Sequence, residues 1–187
     1  MALVVLCHPC KVSLNSSVRD SIKSCIESLN YEVVESVLYE NTEQIRIKSE
    51  TYVLDELVKV RNSRIVVFQY PTYFACFPAL LLDYILLLLN KDPECFDEKK
   101  VLLSSTFGGL RSDYKDSGCR GSLDYSMKSL LDMVFGSTGC ELLQPIQFFR
   151  DEYEIPSRYL DKIEWIQRKF KDFDSWPLKT LRLEDEF

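Results

Sequence analysis

The sequence predicts a three-layer α/β sandwich, a five-stranded parallel sheet in the order 2-1-3-4-5 with helices on both faces. Two observations predict it. Apolar β-type runs alternate with helical stripes along the chain, the pattern of repeated strand–helix–strand crossovers. No internal repeat, low-complexity segment or Pro- or Ser-rich linker interrupts that alternation. Residues 1–187 therefore read as one domain, with a tail from about residue 174.

Residues 2–7 read as a buried strand that ends at Pro9. Asn15 to Leu29 follows, with Val18, Ile22, Cys25, Ile26 and Leu29 at the spacing of a helix stripe. Residues 32–38 form the second strand. A helix over about 50–61 carries Val53, Leu54, Leu57 and Val58 on one face, and Arg64 to Tyr70 is the third strand. Pro78 suits the first turn of a helix reaching Leu89, because its φ is already helical. Lys100 to Ser105 is the fourth strand, followed by a loop holding Gly108, Gly109, Gly118 and Gly121 and a helix over about 122–135. Residues 141–149 make the fifth strand. The last helix, about 156–173, is amphipathic through Leu160, Ile163, Ile166, Phe170 and Phe173.

At 187 residues the chain can bury roughly 70% of its unfolded surface. Its 46% hydrophobic and 28% charged residues are a globular balance. The net charge of −6, with no run of Lys and Arg, argues against nucleic acid and anionic membrane as partners. Met1 to Leu6 has no basic n-region, so no signal peptide is expected. The longest apolar stretch, Phe74 to Leu89, contains Pro78 and Asp83 and is too short for a membrane span. Seven dispersed cysteines, an odd count, suit reduced thiols in the cytoplasm.

In such sheets ligands bind beyond the carboxyl ends of the strands, where the strand order reverses. Here that point lies between strands one and three, so the loops of interest are 7–15, 70–78 and 106–121. All six glycines fall between residues 108 and 139, which excludes a GxGxxG turn and a Walker A loop after strand one. An anion at the first loop would instead meet a helix amino end with Ser13, Asn15, Ser16 and Ser17. Those side chains suit phosphate, although Ser13 or Asn15 could equally be a plain helix cap.

Cys7-His8-Pro9-Cys10 has dithiol spacing, but Cys7 closes a strand and the helix starts several residues later, so Cys7 reads as a packed strand end. Zinc is not expected, because a second Cys pair is missing and His8 is the lone histidine. In Pro71 to Pro78, the aromatics Tyr73, Phe74 and Phe77 could stack on a planar ligand or serve as core or dimer contacts. Leu80, Leu81, Ile85, Leu86, Leu88 and Leu89 surround the next helix, more than one core stripe requires, and predict a dimer face.

At these loops the sequence resembles the NAD(P)H:quinone oxidoreductase family, the DT-diaphorase group of flavodoxin-like flavoproteins. Residues 2–9 are similar to its opening strand with a histidine, and Ser13-Leu14-Asn15 to its Ser-Phe-Asn. Phe68 to Phe74 with Pro78-Ala79 is similar to its Phe-Gln-Phe-Pro segment and Pro-Ala helix. Thr106-Phe107-Gly108-Gly109, then Tyr114, Gly118 and Gly121, resembles its Thr-Thr-Gly-Gly loop, and Trp176-Pro177-Leu178 echoes its domain end. The likeness covers roughly residues 2 to 178.

The resemblance implies a homodimer binding FAD or FMN in a cleft at the dimer interface. His8, Ser13, Leu14 and Asn15 would contact the phosphate and nucleotide part. Pro71, Thr72, Tyr73, Phe74 and Ala75, with Thr106, Phe107, Gly108 and Gly109, would cradle the flavin ring, largely through backbone groups. Tyr114 and Arg120 would be the catalytic pair, stabilising the reduced flavin. The implied activity is hydride transfer from NADH or NADPH to the flavin, then two-electron reduction of a quinone-like acceptor. The sequence departs from the family at Arg120, where a histidine is usual, at Phe74, where a tryptophan-type residue stands, and at Leu82, where a lysine is common. The short connection after strand two keeps FMN open beside FAD. Two other classes are a flavodoxin-type electron carrier and a redox-sensing regulatory subunit of a transporter. The long 106–121 loop favours a substrate pocket over a carrier's bare flavin edge.

Overall fold

The computed structural model of the chain describes residues 1–178. Its strands are β1 (Ala2–Leu6), β2 (Val33–Val37), β3 (Ile65–Pro71), β4 (Lys100–Thr106), β5 (Glu141–Leu142) and β6 (Ile146–Phe148). Its helices are α1 (Leu14–Ser28), α2 (Thr42–Arg46), α3 (Glu50–Asn62), α4 (Ala79–Lys91), α5 (Leu123–Phe135), α6 (Arg150–Tyr153) and α7 (Pro156–Lys171). The sheet is parallel in the order β2-β1-β3-β4-β5, with β6 pairing further along β4. The order is the one expected from the sequence.

Alternate residues of the central strands face two separate cores. Leu3, Val5, Phe68 and Leu103 pack against Leu57, Leu81, Ile85 and Leu131 of α3, α4 and α5. Val4, Val67 and Leu102 face Ile22 and Ile26 of α1 and Ile166 and Phe170 of α7. Burial on both sides explains why these strands read as continuous apolar runs. The register then aligns the strand ends: Leu6 partners Gln69, Gln69 partners Ser104, and Pro71 partners Thr106. Three loops therefore leave the sheet at one level.

Several local features differ from the sequence reading. The fifth strand is broken, because Pro145 has no N–H for the ladder and β5 and β6 pair β4 separately. Beside the break the Gln144 N–H donates to the Pro177 carbonyl at 2.7 Å, and Leu143 bridges Leu178. The short helices α2 and α6 were not expected. Of the leucines and isoleucine expected around α4, Leu81, Ile85 and Leu88 are buried, while Leu80 and Leu89 are half-buried against the same core. Only Leu86 of that set is exposed, at 42%, so the chain's own core takes up most of the helix surface.

One charged group lies deep between α3 and α4. Glu56 is 2% exposed. It accepts from the Ser36 hydroxyl at 2.6 Å, the Tyr84 hydroxyl at 2.7 Å and Lys59 Nζ at 2.6 Å. Paired so fully, the carboxylate is tolerated where an isolated one would not be. No helix among the described residues is long and apolar enough to cross a membrane.

Candidate functional site

The first loop leaves β1 at Cys7, whose N–H donates to the Gln69 carbonyl at 2.9 Å. Burial pushes the Cys7 thiol up to about 12, so at neutral pH it is a packed thiol with no nucleophilic thiolate. The N–H of Cys10 donates to His8 Nδ1 at 3.1 Å. Ser13 caps α1, its hydroxyl oxygen accepting from the Ser16 N–H at 3.2 Å. The capping role weighed for Ser13 is thus realised. The N–H groups of Leu14 and Asn15 in the first turn have no acceptor among the described residues, as at any open helix amino end.

Asn15 is buried and joins the loops from beneath. Its Oδ1 accepts from Gln69 Nε2 at 2.7 Å, and its Nδ2 donates to Thr106 Oγ1 at 3.0 Å. The Thr106 carbonyl in turn accepts from Thr72, from its N–H at 2.9 Å and its hydroxyl at 3.0 Å. Side chains predicted to touch a cofactor separately are in fact one hydrogen-bonded set.

The second loop is a two-residue turn. Tyr73 and Cys76 exchange backbone hydrogen bonds of 3.2 and 2.9 Å. Between them Phe74 and Ala75 have φ of 53° and 58°. Left-handed backbone at two successive non-glycine residues costs about 1–2 kcal/mol each, and such strain gathers at ligand clamps. Phe74 is 98% exposed and Tyr73 half-exposed. Phe77 belongs instead to the core, buried edge-on against Tyr70.

The third loop is anchored at both sides. The Phe107 N–H donates to the Phe148 carbonyl at 2.8 Å, and the Arg150 N–H to the Gly109 carbonyl at 2.9 Å. The Phe107 ring is buried, stacked on Phe149 at 4.7 Å, and its carbonyl accepts from the Tyr153 hydroxyl at 3.2 Å, so this residue braces the loop from within. Tyr114 packs edge-on against Phe107 at 5.1 Å. A Cβ at Gly109 would lie 2.9 Å from the Asp113 carboxylate and 3.0 Å from the Tyr114 ring, so a larger residue there would push on both side chains. The Arg120 guanidinium lies over the Tyr114 ring, 5.5 Å from its centroid. Tyr114 and Arg120 are thus neighbours in the third loop.

The N–H groups of Phe74, Ala75, Gly108 and Gly109 have no acceptor among the described residues. Unpaired backbone donors beside an exposed aromatic suit a flat heterocycle rich in acceptors. Two cavities flank the loops. One of about 290 Å³ is lined by His8, Cys10, Lys11, Arg19 and Tyr39, among others. The other, about 490 Å³, is lined by Arg111, Arg158, Lys162 and Arg168 with Asp151, Glu152 and Trp165. Burial lowers the Lys162 pKa, against the pull of Glu152. The sequence reading missed this cavity of mixed charge, which Asp161 also lines and in which Arg111 and Lys162 pair with Glu152 and Arg158 with Asp151, because its residues come from two distant segments and α7 reads as an ordinary amphipathic helix. It also missed Gln69, whose place inside an apolar strand run was the one available signal.

The chain belongs to the flavodoxin-like fold family, whose model matches residues 1–167. It is similar to NAD(P)H dehydrogenase (quinone) 1 of Rattus norvegicus, 24% identical over 218 residues, which covers 95% of this chain and 79% of the relative. Among solved structures it is similar to the NAD(P)H:quinone oxidoreductase from Methanothermobacter marburgensis. That match has a TM-score of 0.73 and 13% identity, covering 92% of this chain and 96% of the other. The FMN-dependent NADH-azoreductase from Bacillus anthracis str. Ames Ancestor, in complex with FMN, has a TM-score of 0.67 and 16% identity, covering 92% of this chain and 98% of the other. The expected flavodoxin-like fold is borne out, and the expected likeness to NAD(P)H:quinone oxidoreductases is met by these relatives.

Proposed function

We propose that the chain is a flavin-dependent NAD(P)H:quinone oxidoreductase. The observation that carries this reading is that the unpaired N–H groups of Phe74, Ala75, Gly108 and Gly109 stand on loops that leave adjacent strands at one end of the sheet, the latter loop also carrying Tyr114 and Arg120. When bound, flavin supplies the hydride-accepting and electron-donating chemistry that no side chain provides. The backbone of Gly108 and Gly109, beyond Thr106 and Phe107, and that of Thr72 to Ala75 would hold its ring, with Pro71 ending the strand that presents the second loop. Tyr73 and Phe74 would cover the ring face and exclude water. His8, Ser13, Leu14 and Asn15 would meet its phosphate.

The Tyr114 hydroxyl can donate a proton or hydrogen bond to negative charge developing beside it. Arg120 cannot exchange its proton at any working pH and would act as a fixed countercharge. We favour FAD over FMN, because the cavity that opens beside the third loop, where Arg111, Arg158 and Lys162 stand among Asp151, Glu152 and Asp161, offers the Trp165 ring as a face for an adenine. Either NADH or NADPH would serve as donor. The exposed Phe74 and Leu86 support a homodimer in which a second copy covers the cleft. Free cysteines support a cytoplasmic protein.

The test is the visible spectrum of the purified protein, with extraction and chromatography of its cofactor, then NADPH added with and without menadione. Flavin bands, FAD on release and menadione-dependent NADPH oxidation are expected. A protein that neither retains nor takes up FAD or FMN would overturn the reading. Flavin that is held but never turned over with menadione would make the chain a carrier instead.

A further inference from the structure

We infer that Gln69 is a positioning residue, and that it makes the Thr106 hydroxyl a committed hydrogen-bond donor to the ligand of the cleft. The inference rests on the flavin reading above. Gln69 is fully buried in β3, where an apolar residue would avoid the penalty of desolvating an amide. Its Nε2 donates to Asn15 Oδ1, which can only accept, and this fixes Asn15 Nδ2 toward Thr106 Oγ1. An oxygen that accepts there keeps its own hydrogen for another partner. That hydrogen has no acceptor among the described residues. Thr106 ends β4 at the cleft and is held on its carbonyl side by Thr72.

The opposite polarity would turn both amides over. It would make Thr106 donate inward to Asn15 and leave Gln69 Nε2 unpaired. A buried, orphaned N–H is the rarer and costlier state than an under-satisfied carbonyl. In the arrangement observed, the unpaired atom is Gln69 Oε1, a carbonyl oxygen and the less costly of the two to leave. The donors therefore run in one direction, from Gln69 through Asn15 to Thr106.

The test is a double-mutant cycle read by flavin affinity and by thermal midpoint. Apoprotein is titrated with FAD and with FMN by fluorescence quenching for the wild type, Gln69→Met, Thr106→Val and the double variant. Thr106→Val and Gln69→Met should each weaken flavin binding about tenfold. The double variant should bind no more weakly than Thr106→Val alone, because Gln69 acts through that hydroxyl. Thr106→Ser should restore affinity. A merely structural Gln69 would lower the thermal midpoint in both backgrounds while leaving flavin affinity unchanged, and that result overturns the proposal. If Gln69→Met does not fold, the comparison of Thr106→Val with Thr106→Ser decides: equal affinities overturn it. A wild type that binds neither flavin overturns the flavin reading itself, and this proposal with it.

Discussion

The Arg120 guanidinium sits over the Tyr114 ring, and the Arg120 N–H donates to the Asp113 carbonyl at 2.9 Å, so both ends of Arg120 are fixed to the turn that carries the tyrosine. Removing the side chain therefore removes a charge without dismantling the loop. Arg120→Ala should slow reduction of bound flavin by NADPH ten- to a hundredfold, roughly 1.4–2.7 kcal/mol in barrier height. The wild-type rate should lack the step near about pH 6.5 that a catalytic histidine gives. Stopped-flow absorbance across pH 5.5–8.5 reads both, and an unchanged rate in Arg120→Ala would remove the arginine from the mechanism.

The turn at Phe74-Ala75 predicts effects of opposite sign on stability and binding. Ala75→Gly should raise the urea midpoint by the equivalent of about 1 kcal/mol, since glycine adopts positive φ without the steric penalty. Phe74→Gly should relieve the same backbone strain and yet weaken flavin binding, because the exposed ring is lost. Equilibrium unfolding and a flavin titration on both variants separate the two effects. A Phe74→Gly protein that binds flavin as tightly as the wild type would show that the ring has no part in the site.

Strand order and the three loops were legible because each rests on local pattern: apolar runs, helical spacing, and glycines gathered in one loop. The break at Pro145 was hidden by the apolar residues on both sides of it, which read as one strand. Helix α2 is a single turn and leaves no periodicity to find. Gln69 and Asn15 lie 54 positions apart, and nothing near either residue announces the other. Gly109 was visible as a glycine, but the close approach of Asp113 and Tyr114 to it is a fact of packing.

The buried carboxylate of Glu56 should be the most sensitive polar position outside the cleft. Glu56→Ala leaves the Tyr84 hydroxyl and the Ser36 hydroxyl without their acceptor and should destabilise by about 3–5 kcal/mol. Glu56→Gln keeps an acceptor and should cost less. Urea unfolding measures both, and a loss under about 1 kcal/mol for Glu56→Ala would show that the network relaxes freely.

Burial pushes the Cys7 and Cys95 thiols up from 9.0 to about 12. In the unfolded chain they ionise near 9, so between about pH 9 and pH 12 the folded state binds more protons than the unfolded one. Stability from this source is complete below pH 9 and falls as pH rises through that window. Urea midpoints at pH 8 and pH 10.5 should show the fall, and a Cys95→Ala variant should show less of it.

Reactivity at pH 8 should divide the thiols the same way: iodoacetamide should label the exposed Cys10, Cys76 and Cys119 well before Cys7 and Cys95. Replacing Cys7 and Cys10 together by Ser should keep quinone reduction within about tenfold of wild type. Loss of turnover with flavin still bound would instead make the pair a redox centre.

Leu143 and Gln144 meet Pro177 and Leu178 on the outer side of the sheet, and the Trp176 indole N–H donates to the Gln144 carbonyl at 3.1 Å. Trp176 is itself held by Phe170, 5.1 Å away. A sheet whose last strand is left bare invites another chain to add to it, and natural proteins cover, shorten or charge such edges. Here a few residues beyond the last helix close the ladder, with a proline whose missing N–H prevents further pairing at that position. A chain cut after Asp172 would keep every loop of the cleft but bare this edge and the core face that Phe173 and Trp176 cover, so its fate should be self-association before any loss of flavin.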